Sequence, residues 1–274
     1  MRITRGEALL NYGVLTLFSL MAVVPLIGVV LTSLTPSGQA GGGLRVPDRL
    51  AFENFSEAWD IGRFGSYLLS SVIVTVSVVV LTTVLATFAA FAFARMRFPL
   101  SNTIFYLMLV GLMLPAEAFV IPLYYNLRSV GLTDSYWALI LPQTAQSLAF
   151  AVFWLRNQFR QFPDGIVEAA RIDGAGDIRV LWRIIVPPSR PAIITMCLLI
   201  SMWTWNEFLI PLIMVTRESL RTAPLGLAFF QGQHATDFAL LSAAGIIVAA
   251  PIVLLYVVAQ RHFISGMIGG SVKG

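Results

Sequence analysis

Six long apolar segments constrain this chain more than any other feature of its sequence. They cover about residues 9–32, 66–94, 103–127, 136–155, 191–215 and 239–260. Each reaches the roughly 20 residues that a helix rising about 1.5 Å per residue needs to cross a hydrocarbon core about 30 Å thick. Hydrophobic residues make up 57% of the 274 residues and charged residues only 12%, a composition too apolar for a soluble domain of this size. The sequence therefore predicts a polytopic membrane protein.

The predicted fold class is all-α, with six transmembrane helices. The apolar segments lack the alternating pattern of β-barrel strands, and helices satisfy their backbone hydrogen bonds within the lipid. Arg2 and Arg5 precede the first segment as they would in a signal peptide. However, the apolar run Leu9–Leu31 is longer than the roughly 7–15 residues of a signal h-region, so we expect a retained span.

The basic residues predict the orientation of the spans. With both termini in the cytoplasm, twelve basic residues flank the cytoplasmic side and six flank the external side, as the positive-inside rule requires. The cytoplasmic set is Arg2, Arg5, Arg95, Arg97, Arg156, Arg160, Arg171, Arg179, Arg183, Arg190, Arg261 and Lys273; the external set is Arg45, Arg49, Arg63, Arg128, Arg217 and Arg221. This distribution accounts for the net charge of +4 without a nucleic-acid partner.

A polar segment with helical character, residues 156–190, interrupts the apolar pattern. Pro163-Asp164 predicts a helix start with Asp164 as its cap, and Gly174 occupies the position of a left-handed helix end. Asp177 predicts the cap of a second short helix, which Pro187-Pro188 is expected to stop. The expected structure is a helix, a tight turn and a second helix beneath the membrane.

Glu168-Ala169-Ala170 lies within the first of these helices. Small side chains beside a carboxylate allow another backbone to approach closely, which favours insertion into a groove of a partner protein. An amphipathic connector that rests on lipid headgroups is the alternative. That alternative accounts for Trp182 and the arginines, but not for the two alanines.

Residues 168–187 match the EAA signature of ABC importer permeases. In this signature, Glu-Ala-Ala is followed by any three residues and Gly, then by any nine residues and Ile, and then by any one residue and Leu-Pro. In this chain Val186 stands in place of the leucine. The chain resembles the carbohydrate-importer branch, in its smaller maltose-type subunit, through the run from Trp203 to Phe208 and the ending from Gln260 to Gly274. Pro187-Pro188 departs from the usual Pro-Leu.

The resemblance implies a type I ABC importer permease fold and a set of partners. Residues 1–65 would form the first span and an external loop, residues 66–262 the permease core, and residues 263–274 a cytoplasmic tail. The residues implied in coupling to a separate ATPase are Glu168, Ala169, Ala170, Asp173 and Gly174. The implied partners are a second, distinct permease subunit, two ATP-binding subunits and an extracytoplasmic solute-binding protein, in a bacterial or archaeal cell membrane.

The chain is not expected to be an enzyme. A Walker P-loop needs Lys followed by Ser or Thr, whereas the single lysine, Lys273, is followed by Gly274. The two histidines, His234 and His262, fall on opposite sides of the predicted membrane, so neither a metal site nor a histidine-based triad is expected. We therefore predict no cofactor bound by this chain, with ATP and Mg used by the partner ATPase.

Two acidic residues, Glu117 and Glu207, fall within predicted spans. An ionised acid at the bilayer centre costs on the order of 2.5–3.5 kcal/mol, so both should face protein or water. Glu207 follows Trp203, Trp205 and Asn206, which together offer the flat apolar surfaces and polar groups that a sugar requires. Glu117 lies between prolines at an expected break in its helix. All five residues are candidates for the substrate pathway; anchoring and helix packing are the alternatives.

Gln231, Gly232 and Gln233 lie in the predicted external loop, residues 216–238. Similar permeases use this loop to approach the binding protein, so these residues are candidate contacts, with a plain connector as the alternative. The predicted function is a permease subunit that forms half of the pathway for a sugar or sugar derivative. The alternatives are an ion-coupled secondary transporter, in which intramembrane acids form a relay, and an ABC permease for a non-sugar solute.

Overall fold

Helices account for all of the regular secondary structure in residues 5–39, 46–230 and 237–268, the parts of the chain that the computed structural model describes. In chain order the α-helices are α1 (Arg5–Ser33), α2 (Glu53–Ile61), α3 (Phe64–Arg95), α4 (Ser101–Leu112), α5 (Val120–Ser129), α6 (Tyr136–Arg160), α7 (Asp164–Ile172), α8 (Asp177–Val180), α9 (Val186–Trp205), α10 (Leu209–Met214), α11 (Ala223–Gly226) and α12 (Phe238–Ile268). The predicted all-α fold class is confirmed.

Five helical stretches in the described residues are long and apolar enough to cross a membrane. They are Gly6–Ser33, Phe64–Arg95, Tyr136–Arg160, Asp177–Trp205 and Phe238–Gln260. A sixth candidate consists of two shorter helices, Ser101–Leu112 and Glu117–Ser129, with a bend of 91° between them. The predicted span 103–127 is therefore broken, as expected near Glu117. Pro115 causes the break because its backbone is extended and it has no N–H to continue α4.

The prediction that Pro187-Pro188 stops the second short helix is wrong. A π-helical turn, Leu181–Ile185, joins α8 to α9, and one helix continues from Asp177 to Trp205. A proline ring normally collides with the carbonyl four residues earlier, and the wider π turn moves that carbonyl away. The predicted span 191–215 therefore begins earlier than expected. It also ends earlier, at Trp205, before the separate helix α10.

The chain divides into two compact units, residues 1–65 with 226–250 and residues 66–225 with 251–274. In the first unit, the side-chain amide of Asn54 in α2 donates a hydrogen bond of 2.8 Å to the carbonyl of Ser33, which fixes α2 to the end of α1. Asp237 caps α12, because its carboxylate accepts hydrogen bonds from two backbone N–H groups in the first turn of that helix. In the same unit, the rings of Phe64 and Phe230 stack with centroids 6.4 Å apart.

The second unit contains the main apolar core. Helix α6 packs against both α4 and α9, and α10 packs against α5 and α6. Large side chains from these helices are almost fully buried, among them Phe105, Leu155, Met196 and Ile200. Burial of apolar area contributes about 25 cal/mol per Å² in water, and packing contacts supply the corresponding attraction between helices in lipid. This core sets the positions of the helices that carry the candidate site.

Arg95, at the end of α3, joins three parts of the second unit. Its Nη2 atom donates to the carbonyl of Phe159 at 2.6 Å and to the carbonyl of Phe162, and Nη1 pairs with the carboxylate of Asp164. The Arg95 side chain is 6% exposed, whereas that of Asp164 is 81% exposed. The predicted role of Asp164 as a helix cap is wrong. No side chain caps α7, and the Asp164 carboxylate binds Arg95 instead.

Arg156 of α6 makes the reciprocal contact. Its Nε atom donates to the carbonyl of Phe93 near the end of α3 at 3.3 Å, and its guanidinium carbon lies 3.9 Å from the ring centroid of Phe105 in α4. Cations near helix C-termini interact favourably with the unpaired carbonyls there. The contacts of Arg95 and Arg156, which we term the arginine clasp, thus connect the ends of α3 and α6 with α4 and with the start of α7.

Asp134 forms a second polar clasp in this unit. Its backbone has a φ of 58°, and its carboxylate accepts hydrogen bonds from the backbone N–H groups of Thr216 and Arg217 at 2.9 and 2.8 Å. The Nε atom of Arg217 lies 3.0 Å from the same carboxylate. The backbone N–H of Arg217 is the main cause of a lowered pKa of Asp134. These contacts join the connection before α6 to the segment after α10.

Candidate functional site

The residues that carry the EAA signature form a helical hairpin made by α7, a turn at Gly174 and α8. Gly174 has a φ of +80°, and no atom would lie within 4 Å of an added Cβ, so the backbone conformation alone selects glycine. The N–H of Ala175 donates to the carbonyl of Ala170 at 2.9 Å, and the N–H of Gly174 donates to the carbonyl of Arg171 at 3.0 Å. This is a Schellman motif, so the predicted left-handed helix end is confirmed.

The hairpin presents the predicted coupling residues at its surface. Glu168, Ala169, Asp173 and Gly174 are exposed, and Ala170 is half-buried against the apolar core. Val167 holds α7 in place with 4% exposure. The carboxylate of Asp177 binds Arg171 at 2.9 Å, which links α8 to α7; no side chain caps α8, so the predicted cap at Asp177 is wrong.

Three apolar side chains beside these residues are exposed. Ile172 is 86% exposed, Ile178 69% and Trp182 47%. An open groove next to them is lined by Gly174, Gly176, Asp177, Ile178, Arg179, Trp182 and Arg183. Large exposed apolar groups rimmed by charges are typical of interaction surfaces. We call this surface, together with Glu168, Ala169, Asp173 and Gly174, the EAA surface.

One continuous helix connects the EAA surface to a cavity in the same unit. Asp177–Trp205 has 29 residues, which corresponds to roughly 40 Å at about 1.5 Å per residue. Its first turn lies at the EAA surface, and its last turn places Trp203 and Thr204 at the cavity. The EAA surface and part of the cavity wall are therefore carried by the same helix.

The cavity has a volume of about 710 Å³, which suits a small ligand. It is lined by Met108, Gly111 and Leu112 of α4, Leu114 and Phe119 of the bend, Val120 and Leu123 of α5, Pro142, Gln143, Ala145, Gln146, Ser147, Leu148, Ala149 and Phe150 of α6, Trp203 and Thr204 of α9, and Glu207 and Ile210. The lining is mostly apolar, with a few polar groups from α6 and from the break after α9.

Glu207 lies at the break between α9 and α10. Its Oε1 atom accepts a hydrogen bond from the backbone N–H of Ile210 at 3.0 Å, which satisfies a free donor in the first turn of α10. Glu207 thus lines the cavity and also stabilises a helix start. The adjacent Asn206 is exposed, does not line the cavity, and donates from Nδ2 to the carbonyl of Met202 at 2.7 Å.

The five predicted pathway residues separate into two groups. Trp203 and Glu207 line the cavity, whereas Glu117, Trp205 and Asn206 do not. Trp205 is 5% exposed and packs inside the unit, and Glu117 is exposed in the 3₁₀ turn after Pro115. Their roles in transport stay predictions. Gln231, Gly232 and Gln233 lie outside the residues that the structure describes.

The polar face of α6 was not predicted from the sequence. Gln143, Gln146 and Ser147 follow the spacing i, i+3 and i+4, which places them on one side of a helix. Polar residues with this spacing inside an apolar span were the available signal. In the described part of the chain, no three acidic, histidine or cysteine side chains come together in a way that could hold a metal ion.

Comparisons with known proteins agree with this architecture. Residues 82–269 match the family described as binding-protein-dependent transport system inner membrane component. The chain is 32% identical to a diacetylchitobiose uptake system permease protein of Streptomyces coelicolor, over 98% of this chain and 90% of the relative. It is 30% identical to a trehalose transport system permease protein of Mycobacterium tuberculosis, over 92% and 93% of the two chains. A solved chain of a bacterial ABC transporter involved in alginate import has the same fold, with a TM-score of 0.82, 22% identity and coverage of 96% and 99%.

Proposed function

The chain belongs to the family of binding-protein-dependent transport system inner membrane components, and we propose that it forms half of the sugar pathway of an ATP-driven importer. The observation that carries the proposal is the continuous helix from the EAA surface to the cavity. An ATPase docked on the EAA surface would displace the start of this helix. The far end would then move Trp203 and Thr204 relative to α6 and change access to the cavity.

The transported solute is a sugar in this proposal. Relatives of this chain are named for the transport of diacetylchitobiose, trehalose, melibiose/raffinose/stachyose and arabinooligosaccharides. The cavity supports this assignment because it combines aromatic faces with amide, hydroxyl and carboxylate groups. The rings of Phe150 and Trp203 meet edge to face, with centroids 4.8 Å apart, and Trp203 is 49% exposed. Exposed ring faces pack against the C–H groups of sugars, while the polar groups bind hydroxyls.

The proposed assembly contains further subunits. A second, distinct permease would complete the cavity, and two ATPase subunits would bind the EAA surfaces of the pair and use ATP with Mg. An extracytoplasmic binding protein would deliver the sugar. The EAA surface and both termini would be cytoplasmic, as the distribution of basic residues predicts, in a bacterial or archaeal cell membrane.

Adding a charge to the EAA surface tests the proposal. Ala169→Lys is the sharpest change, because Ala169 is exposed in the isolated chain while Ala170 packs against the core. The variant should fold normally and yet lose the ATPase, since an unpaired charge in a desolvated interface costs several kcal/mol. Gln161→Lys, which adds the same charge at an exposed position just before α7, is the matched control.

The measurement is mass spectrometry of proteins that co-purify with the tagged chain from native membranes. We expect an ATP-binding subunit with the parent chain and with Gln161→Lys, and its loss with Ala169→Lys. Equal ATPase recovery and equal sugar uptake for all three chains would show that the EAA surface is not the docking site.

A further inference from the structure

We propose that the cavity selects uncharged sugars through hydrogen-bond acceptors, with Gln143 as a specificity-determining residue. The inference rests on the proposed function and specifies the class of sugar within it. It follows from the polar atoms of the cavity lining, and above all from the state of Gln143.

Gln143 is 3% exposed and lines the cavity from α6. Its Nε2 atom donates to the carbonyl of Leu139, one turn earlier, at 3.0 Å. This bond fixes the orientation of the amide and leaves Oε1 as the remaining acceptor. Within the described part of the chain, Oε1 is buried and has no hydrogen-bond partner. Buried acceptors are rarely left unpaired, because the unpaired state costs free energy, so a donor from a ligand would satisfy this atom.

Glu207 offers a second acceptor in the cavity lining. One of its oxygen atoms receives the N–H of Ile210, and an ionised carboxylate has further lone pairs for hydroxyl donors. Among the lining residues, all of them within the described part of the chain, Glu207 is the one with a charged side chain. A negatively charged ligand would therefore meet a negative group, in a partly buried setting where such repulsion is poorly screened.

The hydroxyl groups of the lining can act either as hydrogen-bond donors or as acceptors. Ser147 and Thr204 are largely buried hydroxyls, and a hydroxyl can donate or accept as the ligand requires. Sugar hydroxyls are donors that can satisfy Gln143 and Glu207 together, while the C–H faces of the sugar pack against Trp203. A uronic acid carries a carboxylate in place of the primary hydroxyl; this group is acceptor-only when ionised, so the sugar loses one donor and gains a charge that Glu207 repels. The site therefore favours uncharged sugars over acidic ones.

Binding to the assembled importer, without its binding protein, provides the test. The complex is reconstituted in lipid nanodiscs and titrated while tryptophan fluorescence is followed, because Trp203 lies in the cavity wall. The uncharged probes are diacetylchitobiose, trehalose and melibiose, and the acidic probe is an alginate trisaccharide. The variants are Gln143→Leu, which removes the acceptor, and Gln143→Glu, which keeps acceptor oxygens at similar volume but loses the donor to Leu139 and adds a negative charge. Gln158→Leu, in the same helix but away from the cavity, is the matched control.

We expect at least one uncharged probe to bind, and Gln143→Leu to weaken its affinity about tenfold, the effect of losing one buried hydrogen bond. Gln143→Glu should keep more affinity for the uncharged probe than Gln143→Leu and should bind the acidic probe more weakly than the parent does, while Gln158→Leu should stay within about threefold of the parent chain. The alginate trisaccharide should bind at least tenfold more weakly than the uncharged probe. If Gln143→Leu does not assemble, the selectivity of the cavity is tested instead by the affinity of the acidic probe for the parent chain and for Gln143→Glu.

Two results would overturn the inference: an affinity for Gln143→Leu that equals that of the parent, or preferential binding of the alginate trisaccharide. ATP-driven uptake of the same probes separates this inference from the proposed function. If the acidic probe is imported and the uncharged ones are not, the importer stands and the selectivity of the cavity is refuted. If ATP drives the uptake of none of the probes, the sugar-importer proposal fails together with the inference.

Discussion

Replacement of Arg95 should destabilise the chain far more than replacement of its ionic partner Asp164. The guanidinium is 6% exposed and donates to the carbonyls of Phe159 and Phe162, which would lose this donor in Arg95→Ala. A hydrogen bond to a charged group contributes about 1.5–3 kcal/mol, so the loss of two should cost on the order of 3 kcal/mol or more. Asp164 is 81% exposed, so solvent screens its side of the pair, and Asp164→Ala leaves the guanidinium its two carbonyl acceptors; this change should therefore cost only about 1 kcal/mol.

The assay is the free energy of unfolding of the purified chain in detergent micelles, measured by circular dichroism in a denaturant titration. Arg95→Ala should lose at least twice as much as Asp164→Ala, and Arg95→Lys should fall between them because an ammonium keeps the charge without the planar fork. If Arg95→Ala and Asp164→Ala are equally destabilised, the carbonyl contacts of the arginine clasp contribute nothing, and this account of the clasp is wrong.

Four further predictions concern function and pH. Gly174→Asp, which places a non-glycine residue at a φ of +80°, should retain some ATPase on purification but fail to couple ATP hydrolysis to uptake. Glu207→Gln should impair or redirect sugar uptake without loss of assembly, because Glu207 lines the cavity, whereas Asn206→Ala should change uptake little; normal uptake by Glu207→Gln would favour a packing role. Replacement of residues 231–233 by a Ser/Ala linker should lower the ATPase stimulation by saturating binding protein, and unchanged stimulation would indicate a plain connector. The lowered pKa of Asp134 implies stability that is complete above the ordinary aspartate pKa of about 3.9 and is lost as pH falls through the lowered value, so Asp134→Asn should flatten the acid limb of a Tm-versus-pH profile.

The sequence was most informative where one physical requirement dominates. Long apolar runs must be helical in lipid, so the all-α class and the positions of most spans could be predicted from the sequence. The left-handed turn at Gly174 could also be predicted, because a glycine between two helical patterns commonly ends the first helix in this conformation.

The predictions were wrong where the local structure depends on a backbone conformation or a distant contact that residue types alone do not determine. Pro187-Pro188 normally stops a helix, but the π-helical turn before it admits both rings and keeps the helix continuous. Asp164 follows a proline at a helix start, where a cap is expected, yet its carboxylate pairs with Arg95, which is distant in sequence. Gln143 is visible only as a polar residue in an apolar span, and its unpaired acceptor depends on how its own amide bonds to Leu139.

In the proposed transport cycle, ATP hydrolysis by a separate subunit drives the movement of sugar through this chain. The decisive experiment is uptake of radiolabelled sugar into proteoliposomes, with the assembled importer compared with the purified chain alone. We expect accumulation only when the partner permease, ATPase, binding protein and ATP are all present, and its loss in Ala169→Lys. Accumulation by the purified chain alone along a proton or sodium gradient, without ATP, would refute this cycle and identify an ion-coupled transporter.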